Sequence, residues 1–146
     1  MQPSNFGLNR EFILMYKINS GILKDKKILV ADDDRSTFLY IEAILKKTGA
    51  KLFWVENGLQ AVEFVKSKSY LDVVLMDLKM PVMNGKEAIV YINEFCSTLP
   101  IVVQSCNVQE YIKENPERKE NMGFLEKPFN PSDLINTILN VLKIPV

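Results

Sequence analysis

The chain has 146 residues, 47% of them hydrophobic and 25% charged, the balance of one soluble globular domain whose core needs no disulfide or metal staple. Its 18 Lys+Arg offset 18 Asp+Glu, so no basic footprint points to nucleic acid or an anionic membrane. Histidine is absent, which excludes Ser-His and Cys-His catalysis, His-ligated zinc and a phosphohistidine on this chain.

Residues 1–26 read as an N-terminal extension or linker. Within them Phe12, Leu14, Tyr16 and Ile18 would line one face of a strand, and a helix can be drawn through the same stretch almost as well. The apolar run Phe12 to Tyr16 is far short of the roughly 20 residues a membrane-spanning helix needs, and no basic leader precedes it. Asn19-Ser20-Gly21 comes closest to linker chemistry. From Lys27 onward short apolar runs alternate with longer amphipathic ones, the pattern of strands and helices around a parallel sheet. Strands are predicted at Lys27 to Ala31, Lys51 to Val55, Val73 to Met76, Ile101 to Val103 and Phe124-Leu125, several of them apolar on consecutive residues as strands covered on both faces should be.

Helices fill the intervals. Arg35 to Thr48 places Phe38, Ile41, Ile44 and Leu45 on one face and stops at Gly49. Asn57-Gly58 opens a helix carrying Ala61, Phe64 and Val65, and Asn84-Gly85 opens one carrying Ala88, Ile89, Ile92 and Phe95. In the last helix Asn130 is the N-cap and Pro131 the first helical residue, followed by Leu134, Ile135, Ile138, Leu139, Val141 and Leu142. Five strands and five helices in strict alternation result. The two cysteines, Cys96 and Cys106, form no C-x-x-C pair or disulfide framework, so a reducing, cytoplasmic location is expected.

In an open parallel sheet the ligand site lies beyond the carboxyl ends of the strands. There the first strand runs into Asp32-Asp33-Asp34, the third into Asp77, the fourth into Gln104-Ser105 and the fifth into Glu126-Lys127-Pro128. If the first and third strands are neighbours, their carboxylates converge, and the repulsion must be relieved by raised pKa values or a hard cation. Oxygen ligands without His or Cys favour Mg²⁺. Ser105 and Lys127 would complete a ring of donors suited to a phosphoryl group, with Asp77 as nucleophile.

Four segments carry a resemblance to a known family: Ile28 to Asp34, Val73 to Gly85, Pro100 to Ser105 and Phe124 to Phe129. In that order and spacing, over about residues 27–146, the chain resembles a response-regulator receiver domain of bacterial two-component signalling, stand-alone or from a hybrid sensor kinase. The resemblance implies a flavodoxin-like (βα)5 fold with strand order 2-1-3-4-5 and helices on both faces. It implies Asp77 as phosphoacceptor. Asp33, Asp77 and the backbone carbonyl of Lys79 would ligate Mg²⁺, with Asp32 reaching it through water. Ser105 and Lys127 would contact the phosphoryl group, Phe124 would be the switch aromatic, and Lys127-Pro128 would be a cis peptide. The donor would be a histidine kinase or a histidine phosphotransfer protein, and the output a contact with a further protein or onward phosphorelay, with no nucleic acid or membrane touched directly. The chain would catalyse only its own phosphorylation and dephosphorylation.

Taken singly, each piece has a plainer reading: Asp32 to Asp34 as helix-capping carboxylates, Asp77 and Lys127-Pro128 as turn chemistry, Phe124 as core. The competing function is a haloacid-dehalogenase-like phosphohydrolase, because Asp32-Asp33-Asp34-Arg35-Ser36 approximates a D-x-D-x-[ST] motif with Asp32 as nucleophile. That reading lacks an acidic pair after Lys127 and leaves Asp77 without a role. A pure interaction module is disfavoured by the intact acidic positions. The chain also departs from the family: Asn115 to Asn121 is nearly all polar, Pro116 is expected to break the helix there or restart it with Asn115 as a new N-cap, Cys106 replaces the usual alanine, and Phe124 lacks a tyrosine hydroxyl.

Overall fold

Five apolar runs pair as parallel strands in the computed structural model, which describes residues 9–67 and 70–145. They are β1 (Lys27–Ala31), β2 (Lys51–Val55), β3 (Val73–Asp77), β4 (Ile101–Ser105) and β5 (Met122–Glu126), in the order β2-β1-β3-β4-β5. The first two coincide with their predicted limits. The other three run further, because ladder pairing carries polar ends that hydropathy leaves out: Asp77 pairs with Gln104, Gln104 with Leu125 and Ser105 with Glu126. Every residue of β3 and β4 is buried, which accounts for their unbroken apolar stretches.

Alternation along the strands sends side chains to two cores. Leu29, Ala31, Val74, Met76, Ile101 and Val103 pack with α3 (Gly58–Ser67) and α4 (Gly85–Phe95). Ile28, Val30, Val73, Leu75 and Val102 pack with α2 (Arg35–Leu45) and α6 (Pro131–Val141). A 3-10 turn at Lys46–Thr48 prolongs α2 to Gly49, whose φ of 84° is the left-handed stop expected there. Asn130 caps α6 in a reciprocal capping box with Asp133, behind Pro131. Phe95, predicted on the buried face of α4, is exposed at its end.

Two points the sequence left open are decided. The stretch open between strand and helix forms α1 (Arg10–Asn19), which adds a sixth helix among the described residues to the five that alternate with the strands. Asn9 caps it by accepting from the Phe12 N–H at 2.8 Å, and Leu14 and Ile18 dock on the α2/α6 core while Phe12 and Tyr16 stay exposed. A helix pairs its own backbone groups, which a strand without a neighbour would leave open. Of the two outcomes expected at Pro116, the break occurs and the restart does not: α5 (Val108–Glu114) ends before it. Asn115 is its C-cap, out of the helical region at φ −128° and ψ 65°, as a residue before a proline is kept from helical backbone, and residues 115–121 continue as turns and irregular backbone. No helix among the described residues is long and apolar enough to cross a membrane.

Gly85 sets α4 against the end of β3, and Gly58 sets α3 against the loop before α4. A Cβ on Gly85 would overlap the Asp77 carbonyl oxygen, and one on Gly58 would overlap that of Met83; the Gly85 N–H donates to the Leu78 carbonyl at 2.9 Å. Gly85→Ala is therefore expected to push α4 off the end of β3 and destabilise the fold by about 1–3 kcal/mol, read as a lower urea midpoint with unchanged slope.

Candidate functional site

Strand alternation carries Asp32, Asp77 and Gln104 to the side of the sheet that Val30, Leu75 and Val102 occupy. The strand order then makes them neighbours, because β3 lies between β1 and β4. Of the Asp32-Asp33-Asp34 run, only Asp34 acts as a helix cap, accepting from the Ser36 N–H at 2.9 Å. Asp32 and Asp33 are left facing Asp77, and the three offer carboxylate oxygens within 4.8 Å of one another. Asp32 is fully buried, Asp77 nearly so, and Asp33 is exposed.

Lys127 lies among them, brought in by the loop after β5, whose Lys127–Pro128 peptide is cis. The Lys127 N–H donates to the Ser105 carbonyl at 2.8 Å, tying the loop to the end of β4. Its ammonium sits 2.9 Å from Asp32 Oδ2 and 3.5 Å from Asp77 Oδ1. Asp32 Oδ2 also accepts from Gln104 Nε2 at 3.3 Å, and Asp32 Oδ1 accepts from the Asp34 N–H at 2.9 Å. Behind them the Trp54 indole N–H donates to the Asp32 carbonyl at 2.8 Å while its ring stacks on Phe38 at 5.2 Å. The Lys79 N–H reaches Asp77 Oδ1 at 3.4 Å.

Ser105 and Phe124 stand apart from the carboxylates. The Ser105 hydroxyl oxygen accepts from the Asn107 N–H at 3.1 Å, and Asn107 in turn caps α5 by accepting from the Glu110 N–H. Phe124 projects to the other face, half-buried between Tyr111 at 6.1 Å and the Arg118 guanidinium at 5.4 Å. A cleft of about 410 Å³ opens beside Leu78, Lys79, Ser105 and Asn107. A second hollow is lined by Ser36, Tyr40, Cys106 and Lys127.

The charges do not balance: three carboxylates share one ammonium. Burial pushes the Asp77 carboxyl above its ordinary pKa, Lys127 opposes the shift and Asp32 adds to it. Burial alone would lower Lys127, but its hydrogen bond to Asp32 and the charges of Asp32 and Asp77 outweigh it and hold the ammonium above the ordinary lysine value. The donor set, oxygen only and in negative excess, fits a hard divalent cation.

Sequence reasoning gave Gln104 no role and left open whether Trp54 lies near the acids. The signal for Gln104 was a polar residue on the same alternation as Val102 in a strand buried on both faces. Among the described residues its side-chain carbonyl has no hydrogen-bond partner although the residue is fully buried, an arrangement costing about 1–3 kcal/mol.

Residues 28–139 match the family described as response regulator receiver domain. The chain is 31% identical over 118 residues to protein PilH of Pseudomonas aeruginosa, covering 80% of this chain and 97% of that protein. It is 30% identical over 132 residues to hybrid signal transduction histidine kinase I of Dictyostelium discoideum, covering 83% of this chain but 8% of that one, so it spans only a small part of such kinases. Among solved structures, the receiver domain of sensor histidine kinase PA1611 from Pseudomonas aeruginosa, described with a magnesium ion coordinated in its active-site cleft, superposes with a TM-score of 0.72 at 29% identity, covering 82% of this chain and 98% of that one.

The raised Asp77 carboxyl makes a prediction with a definite sign. Its contribution to stability is complete below the ordinary value of 3.8 and is lost as pH rises through the higher folded value. Asp77→Asn, which buries no charge, should therefore melt at a higher temperature than the unmodified chain at neutral pH in metal-free buffer. The gain should vanish below about pH 4, as calorimetry across the range would record.

Proposed function

The chain belongs to the response regulator receiver domain family, and on that premise we propose that it accepts a phosphoryl group on Asp77 from a histidine kinase or a histidine phosphotransfer protein. The observation that carries this reading is the buried Asp77 carboxylate beside two further carboxylates and a lysine, all at strand ends. The haloacid-dehalogenase-like alternative is not supported. The matched family is the receiver family, and the proposed nucleophile Asp32 is fully buried with both carboxylate oxygens hydrogen-bonded.

In the proposed reaction an Asp77 carboxylate oxygen attacks the phosphorus in line, the new P–O bond forms as the donor's P–N bond breaks, and the imidazole leaves. No residue of this sequence is a histidine, so that imidazole belongs to another protein or to a segment outside this sequence. Asp32, Asp33, Asp77 and the Lys79 carbonyl would hold Mg²⁺, which when bound supplies positive charge against the phosphoryl oxygens. Lys127 turns from Asp32 toward the transferred group as a point charge, and Ser105 donates to it. The chain in this reading promotes only its own phosphorylation and dephosphorylation, in which water releases phosphate from Asp77 and restores the carboxylate. Residues 27–146 form the receiver, with 1–26 as an extension or linker.

The output would start at Ser105. When its hydroxyl turns toward the phosphoryl group, the Asn107 N–H loses its acceptor and the start of α5 is released. Space opens on the Phe124 side at the same time. Phe124 has no hydroxyl, so its inward state is favoured by burial alone, worth about 1.5–3 kcal/mol, which shifts a two-state ratio roughly ten- to a hundredfold.

Intact-mass analysis after incubation with acetyl phosphate and Mg²⁺ should show one added phosphoryl group, absent with a chelator and absent in Asp77→Asn. Undiminished labelling of Asp77→Asn would overturn the assignment. Amide exchange with and without beryllofluoride, a phosphoryl mimic, should change across α5 and residues 115–121 in the original chain. The change should disappear in Ser105→Ala, and exchange differences confined to the acidic cluster would show that no switch operates.

A further inference from the structure

Asp32 is held by three donors of different kinds: the Asp34 N–H, the Lys127 ammonium and the Gln104 amide. Two of them, Lys127 and Gln104, converge on the same oxygen, Oδ2. The arrangement is redundant while Lys127 rests there. It ceases to be so once the lysine serves Asp77, for Lys127 already lies 3.5 Å from Asp77 Oδ1 and a phosphoryl group on that residue would draw it away. A fully buried carboxylate would then face the interior with one oxygen bare, a state folded proteins avoid.

Gln104 does not leave. Its backbone is fixed in β4 between Asp77 on β3 and Leu125 on β5, and its side chain has no route to solvent. Packing does not explain the amide either. An apolar residue of the same length would fill the space without burying a carbonyl that has no partner.

We propose that Gln104 is a positioning residue for Asp32, keeping that carboxylate oriented toward the cation and so releasing Lys127 for the phosphoryl group. The inference rests on the receiver reading. It also accounts for the orphaned carbonyl as the cost of a donor that the reaction needs and the resting fold does not. Gln104 touches neither the phosphoryl group nor, in this reading, the metal; it acts through Asp32.

The test separates this role from a structural one by two readouts that move independently. Mg²⁺ affinity would be measured by fluorescence of Trp54, the single tryptophan, whose indole is bonded to the Asp32 carbonyl, and checked by calorimetry. Melting temperature would be measured in metal-free buffer. Gln104→Met keeps the length and removes the amide; Gln104→Asn keeps the amide and withdraws it by one methylene. With beryllofluoride bound in place of the phosphoryl group, so that Lys127 has left Asp32, both should weaken Mg²⁺ binding about tenfold, the low end of what losing a partner behind a metal-binding carboxylate brings. Both should slow phosphoryl uptake from acetyl phosphate, while Gln104→Met holds or raises the melting temperature. Mg²⁺ affinity within about twofold of the unmodified chain in both variants with beryllofluoride bound, whatever the melting temperatures do, would overturn the proposal. Failure of the receiver reading itself looks different, because the unmodified chain would then gain no phosphoryl group at all.

Discussion

Everything at the carboxyl edge of this sheet is arranged around one ammonium shared by two buried carboxylates. Lys127 is 2.9 Å from Asp32 and 3.5 Å from Asp77, and a third carboxylate, Asp33, adds charge from the exposed side. One cation among three anions leaves a deficit that the fold does not fill from within. The shape of the region follows from keeping that deficit in place: β1 and β3 are adjacent so that the acids meet, and the loop after β5 is tied to Ser105 so that the lysine reaches them. Gly85 lets α4 approach the Asp77 backbone so closely that no side chain fits between.

Such a cluster is poor for stability and good for binding. Burial raises the Asp77 carboxyl, and the unpaired Gln104 carbonyl adds a second cost close by. Both are set against a large apolar interior on either side of the sheet, which tolerates a few strained polar groups at its rim. The strain is concentrated where chemistry would use it. Elsewhere local preference and tertiary packing agree, as in the capping box at Asn130 and the left-handed Gly49.

Much of this was legible in the residue order, and the reasons are specific. β1 and β2 were readable to the residue because charged or turn residues bracket their apolar runs. β5 was read too short, since Met122-Gly123 carries little strand preference and is held by pairing with Ile101 and Val102. α1 was undecidable because Phe12, Leu14, Tyr16 and Ile18 satisfy a period of two while Leu14 and Ile18 also satisfy one of four; only docking on the core decides. The acids and the lysine could be found from their places at strand ends. Gln104 offered only its polarity within a buried strand, because a neutral amide carries no motif, and its meaning depends on which carboxylate the neighbouring strands bring to it.

In the proposed reading, the brevity of α5 would govern what this domain transmits. It has seven residues, well below the length at which a helix holds itself together in water, and it is followed by a proline-containing run of turns. Its first turn hangs on Asn107, the same residue whose N–H is held by the Ser105 hydroxyl. A long helix in that place would respond to a pull on its first residue by tilting or sliding as a rigid rod. A two-turn helix whose far end is tied by the Lys86–Glu114 ion pair and whose first turn hangs on Asn107 would respond by loosening that turn, so a partner resting on this surface would read how much of the time the turn exists and not where the helix points.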